Sequence, residues 1–143
     1  MSRLIVKFFR LPITDQRLLM RAAMALATAK LAVRTMSFIH ARKTVTRIQT
    51  IGARPAAPPS PERIRWAVTT AGRFIPGLKN CLVQALAAEA ILNRAGYSCE
   101  LKIGAAKNGP HGLLAHAWLE RDGKVFIGDF EPGQFRPLTS PSR

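Results

Sequence analysis

Acidic residues are scarce in this chain, which has 8 Asp+Glu against 22 Lys+Arg in 143 residues, for a formal net charge of +14. Cysteine is nearly absent as well. Two cysteines, Cys81 and Cys99, are too few for a disulfide framework or a cysteine metal cluster. The three histidines, His40, His111 and His116, have no zinc-ligand spacing, so no metal and no other cofactor is expected. Aromatic residues make up 7%, few for a surface that stacks nucleobases, and no nucleic-acid-reading motif accompanies the positive charge. Nucleic acid is therefore a disfavoured partner. Long apolar runs are missing too. The longest, Ala22 to Val33, is broken by Lys30 and is shorter than the roughly 20 residues of a membrane span. The N-terminal MSRLIVKFFRLP has no extended apolar region and no small-residue cleavage site, which points to a cytoplasmic setting rather than export.

With 48% hydrophobic and 21% charged residues, the composition is globular and fits a single folding unit. Charge is unevenly distributed. Residues 1–80 carry 15 basic and 2 acidic side chains, whereas residues 81–143 carry 7 and 6. The basic half suits an anionic partner: an acidic protein or peptide, or a membrane surface touched at its periphery.

Pro12 to Asp15 reads as a helix start with Thr14 or Asp15 as N-cap. The following Ala/Leu-rich stretch, to about Arg34, carries an apolar stripe of Leu18, Ala22, Ala25, Ala29 and Ala32 or Val33, with Arg17, Arg21, Lys30 and Arg34 off it. Packing of that stripe on its own domain is the favoured interpretation, ahead of membrane contact. A second, shorter helix is expected within Met36 to Thr50, then a proline-rich connector, Gly52 to Pro61. Ser60-Pro61-Glu62 starts another helix that runs to Gly72. Leu82 to Ala95 is the clearest helix, closed by Gly96. Beyond it the period becomes alternating: a strand from Tyr97 to Gly104, a loop to Leu113, strands at Ala115–Glu120 and Lys124–Phe130 about Asp122-Gly123, and an irregular tail from Pro132. The expected fold is α+β, with a basic helical region (1–60) packed on a core (61–143) that holds a small antiparallel sheet.

Cys81 sits where a loop becomes a helix. The unpaired amides of a helix start stabilise a thiolate and can hold a developing oxyanion. With Asp122-Gly123 as a two-residue turn, regular pairing puts His116 opposite Asp129 and Trp118 opposite Ile127. Directly opposed residues have Cβ atoms about 4.5–5.5 Å apart, within reach for a carboxylate to orient an imidazole. Trp118 and Ile127 would then form an apolar floor, and a one-residue bulge would break this register. Glu120 is the next acid on that face, and Glu131 lies beyond the strand. His111 is a loop residue, His40 has no chemical company, and Cys99 reads as a packing residue on the first strand.

The order of a helix-opening cysteine, a strand, then His and Asp on a hairpin resembles the transglutaminase-like branch of papain-type cysteine enzymes. More closely, the runs Asn80-Cys81-Leu82-Val83-Gln84-Ala85-Leu86, Ile91-Leu92-Asn93-Arg94-Ala95-Gly96-Tyr97, Glu100-Leu101-Lys102-Ile103-Gly104 and His116-Ala117-Trp118-Leu119-Glu120 are similar to the B-protein family of lasso peptide biosynthesis. The resemblance spans roughly Ile64 to Leu138. It implies a cysteine peptidase that removes the leader from a ribosomally made precursor peptide, with Cys81 as nucleophile, His116 as base and acid, and Asp129 as the orienting carboxylate. Asn80 and Trp118 are candidate substrate contacts. Implied partners are the precursor peptide, a separate leader-recognition protein (residues 1–60 lack the strands such a domain needs) and an asparagine-synthetase-like cyclase. Transglutaminase-like amide transfer or deamidation through the same acyl-thioester is the alternative outcome.

Overall fold

The alanine-rich run after Cys81 has no polar face, so its helix can only be stable if enclosed. A computed structural model of the chain describes residues 2–52, 57–74, 80–107, 112–128 and 136–139, and of 106–107, 113–115 and 136–139 the backbone alone. In it α5 (Cys81–Ala95) is the central helix, buried from Val83 to Leu92 except at Gln84. Around it pack α2 (Ile13–Thr35), α3 (Phe38–Gln49) and α4 (Pro61–Phe74) on one side and the sheet on the other. A further helix, α1 (Ser2–Arg10), precedes them and buries no residue. The arrangement is α+β, as expected.

The stripe of α2 packs as expected: Leu18, Ala22, Ala25, Ala29 and Ala32 are buried, joined by Leu26, while Val33 is half-buried. Its small side chains let α2 approach the alanines of α5 closely. The helix starts earlier than expected, at Ile13 after Pro12, and neither Thr14 nor Asp15 is the N-cap. Asp15 instead lies in the first turn, favourable to the helix dipole, and pairs with Arg63 of α4. Ser60 caps α4, its hydroxyl accepting from the Arg63 amide at 3.3 Å. The C-terminus of α3 is closed by Arg94 of α5, whose Nη1 donates to the carbonyl oxygens of Gln49 at 2.6 Å and Ile51 at 2.8 Å.

At the end of α5, Gly96 adopts φ +92°, and the Tyr97 amide donates back to the Leu92 carbonyl at 2.9 Å. Tyr97 is thereby spent on the helix end. Consequently β1 runs Glu100–Lys107, starting later than the alternation from Tyr97 implied. It pairs with β2 (Leu113–Arg121), which pairs through the Asp122-Gly123 turn with β3 (Lys124–Ile127). Both turn residues have positive φ, 54° and 76°, as a two-residue hairpin requires. The tail is not wholly irregular. Arg136–Thr139 forms β4 on the far edge of β1, where the missing amide of Pro137 is tolerated, giving the antiparallel order β3-β2-β1-β4.

Along the hairpin the pairing begins as expected, Arg121↔Lys124 and Glu120↔Val125, and then slips to Leu119↔Ile127. Phe126 is the extra residue of a β-bulge. Regular pairing would have set Ile127 against Trp118, on the face away from the helices. The bulge turns Ile127 towards Leu119 and Leu101, where all three are buried in the helical core. The expected Trp118–Ile127 floor therefore does not form. The lost ladder regularity is offset by burying a large aliphatic side chain, worth about 1.5–3 kcal/mol.

Candidate active site

Asn80 has extended backbone, and its Oδ1 accepts from the amides of Leu82 (2.9 Å) and Val83 (3.4 Å), while its carbonyl accepts from Gln84 (2.9 Å). This places Cys81 at the first position of α5. Because the cap takes the next two amides, it is the Cys81 amide itself that remains for an oxyanion, rather than the whole first turn. The side chain of Asn80, expected as a substrate contact, is employed as this cap. The Cys81 thiol is half-buried and makes no hydrogen bond among the described residues.

α5 packs against β2, the strand that carries His116. On β2, Leu119 faces the helical core, and His116, Trp118 and Glu120 alternate with it on the other face. The docking of α5 on β2 therefore does not by itself set thiol against imidazole. The imidazole is nonetheless oriented. His116 stacks on Trp118, with centroids 6.2 Å apart and planes 18° from parallel, and its Nε2 lies 2.8 Å from the carbonyl oxygen of Gly128. A carbonyl can only accept, so Nε2 carries a proton in this contact.

Gly128 stands directly after β3, and the bulge is what brings it there. Its φ is +96°, and a Cβ at this position would lie 2.9 Å from the Ala117 carbonyl oxygen and 2.9 Å from Trp118 Cβ. Backbone cannot yield as a side-chain tip can. Gly128→Ala is thus expected to displace the end of β3, with about 1–3 kcal/mol of stability lost, together with the anchor of His116. A thermal melt, read beside a histidine NMR tautomer assignment, checks both halves of that expectation. Nothing in the spacing of the sequence signals this glycine's role, because it follows from the bulge.

The same bulge removes the register argument for Asp129 opposite His116. Asp129 itself lies outside the described residues, as does His111. Trp118 is 1% exposed, and its Nε1 donates to Glu120 at 2.9 Å, so it acts as the platform beneath the imidazole rather than an open contact surface. Glu120 also pairs with Lys102 Nζ at 2.9 Å. The Trp118 hydrogen bond, aided by Lys102, holds the Glu120 carboxyl below its ordinary range, and Glu120 in turn holds the Lys102 ammonium above its own. For a depressed carboxyl the stabilisation is present above the unfolded value, about 4.3, and is lost as pH falls through the folded one. Glu120→Gln should accordingly be less stable than the parent at neutral pH and converge with it as pH falls below about 4.3, as urea titrations at stepped pH would show.

Cys99 lies just before β1, half-buried, its Sγ 3.9 Å from Asn93 Oδ1 and packed on the core. His40 is exposed on α3 and bonds Ser37 Oγ at 2.7 Å. Among the described residues no group of three or more His, Cys, Asp or Glu could hold a metal ion.

A helix that opens on a cysteine, docked on an antiparallel sheet whose histidine is anchored at Nε2, makes an α+β arrangement suited to thiol chemistry. The chain belongs to the Transglutaminase-like superfamily, which it matches over residues 23–140, from the middle of α2 to the end of β4. That superfamily includes cysteine peptidases. No curated protein and no solved structure matches the chain.

Proposed function

We propose that the protein is a cysteine peptidase that removes the leader from a ribosomally made lasso peptide precursor. Cys81 attacks the scissile carbonyl as a thiolate, and the Cys81 amide steadies the oxyanion. His116 takes the thiol proton at Nδ1 and returns it to the departing amine, leaving an acyl-thioester. Water, deprotonated by the same imidazole, then releases the acid. Asp129, the residue after Gly128, is the carboxylate assigned to stabilise the imidazolium, beside the Gly128 carbonyl that already fixes Nε2. A separate leader-recognition protein presents the precursor, and an asparagine-synthetase-like cyclase uses the product.

The observation that supports this reading is the anchoring of the His116 Nε2 by the Gly128 carbonyl, on the strand against which the cysteine-opened helix α5 packs. With Nε2 donating to Gly128, Nδ1 is the nitrogen assigned to take the thiol proton. Half-burial of the thiol supports substrate access. The chain, incubated with precursor peptide and recognition protein and followed by mass spectrometry, should yield free leader and core. An intact precursor that has gained an amide crosslink, or exchanged a side-chain amide for an acid, would instead establish acyl transfer or deamidation.

A further inference from the structure

α2 has a second apolar stripe that its own fold does not use. Opposite the buried alanines lie Ile13, Met20, Met24 and Leu31, each between 59% and 65% exposed. At 3.6 residues per turn these four fall within about 40° of one another, along a ridge about 27 Å long. The same periodicity sets Arg17 on one flank of the ridge and Lys30 and Arg34 on the other. The only acid of α2, Asp15, is on the buried side and paired with Arg63. α1 repeats the pattern. Arg3, Lys7 and Arg10 share one face, and Leu4, Ile5, Phe8 and Phe9 occupy the other. That apolar face opens on a groove of about 690 Å³ shared with Met20 of α2 and with Trp66 and Phe74 of α4. α1 and the first turns of α2 lie outside the region that matches the superfamily.

We propose that this face of α1 and α2 docks the protein, lying in plane, on an anionic lipid bilayer. The chemistry on the face selects that occupant. A convex ridge of methionine and aliphatic side chains penetrates a deformable apolar layer without needing a shaped complement. Cations on both flanks can keep their heads at the phosphates while their stems lie along the ridge. Residues 1–80, with 15 basic and 2 acidic residues, match a negative surface. No described helix is long and apolar enough to cross a membrane, so contact through these helices would be peripheral. Apolar insertion and polybasic attraction are each weak alone and together give stable anchoring. The inference stands independently of the peptidase reading.

The test is sedimentation of the full chain with vesicles of equal parts phosphatidylglycerol and phosphatidylcholine, against phosphatidylcholine alone. Binding is expected to the anionic vesicles only, and to weaken as salt rises. The triple variant Met20→Gln, Met24→Gln, Leu31→Gln, whose sites are exposed, should melt like the parent and lose about tenfold or more in partitioning. Arg17→Gln and Arg34→Gln should each lose about fivefold. Equal binding to neutral vesicles, no binding to anionic vesicles at low salt, or parental partitioning by the triple variant would each overturn the proposal. If the parent ignores both vesicles while the triple variant loses affinity for the leader-recognition protein, the ridge is a protein-docking surface instead.

Discussion

Cys81→Ala is expected to abolish leader removal, with a loss on the order of 10⁴-fold or more in turnover. The acyl-thioester needs a sulfur at the first position of α5, where the cap leaves the Cys81 amide for the oxyanion. Cys99, half-buried and bonded to Asn93, does not replace it. Cys81→Ser should fail nearly as completely, since a hydroxyl is a far weaker nucleophile than a thiolate. His116→Ala should match it, and the double variant should be little worse than either single one, because nucleophile and base act as a unit. Asp129→Asn should cost less, since an orienting carboxylate stabilises the imidazolium without taking its proton. Cys99→Ala should remain nearly fully active. Rates on precursor peptide, with the recognition protein supplied, rank the six. A Cys81→Ala protein that still cleaves ends the mechanism. Full activity in Asp129→Ala would move only the third role, and the structure names its successor. Glu120, an acid on the His116 face, is engaged by Trp118 and Lys102, whereas the Gly128 carbonyl already holds Nε2.

What could be read in advance was whatever single residues declare locally. Gly96 closes α5 by capping chemistry, and Asp122-Gly123 announces a turn with both φ positive. Ser60-Pro61-Glu62 starts α4. These signals act within one turn of chain, so they survive any tertiary arrangement. The bulge at Phe126 is of another kind. Nothing between Lys124 and Gly128 demands it until Ile127 must choose between the Trp118 face and the helical core, and that choice exists only once the helices are packed. The register of His116 hung on it, and the role of Gly128 went unseen with it. The outward stripe of α2 was hidden for a related reason: alanine, leucine and methionine occur on every side of the helix, so one stripe at helical spacing obscured a second. β4 was masked by its own proline, which an edge strand accepts and an interior one does not.

The largest expected loss of stability comes from a position that periodicity places correctly but whose charge it does not explain. Glu89 recurs at apolar spacing on α5 and is indeed buried, at 4% exposure, with its carboxylate facing α3. Arg42 of α3 meets it there. Nε lies 3.0 Å from both carboxylate oxygens, and Nη2 pairs with Oε1. The hydrogen bonds to Glu89 hold the Arg42 guanidinium above its ordinary range, against the opposing effect of burial. Arg42→Ala leaves the carboxylate in the core without this partner, which is expected to lower unfolding free energy by about 3–5 kcal/mol. Arg42→Lys should fall between, because an ammonium cannot reproduce the fork. Lowering the pH should return part of the loss in Arg42→Ala, since a neutral carboxyl is far cheaper to bury. The pair is not required for stability as such. Arg42→Met with Glu89→Leu replaces two desolvated charges by apolar groups of similar size and should restore most of what Arg42→Ala loses. Urea unfolding of the four proteins at neutral pH decides the matter. If Arg42→Ala melts within 1 kcal/mol of the parent (about the scatter of ordinary surface substitutions), the α3–α5 contact is not held by this pair, and the apolar double variant should then show no rescue to measure.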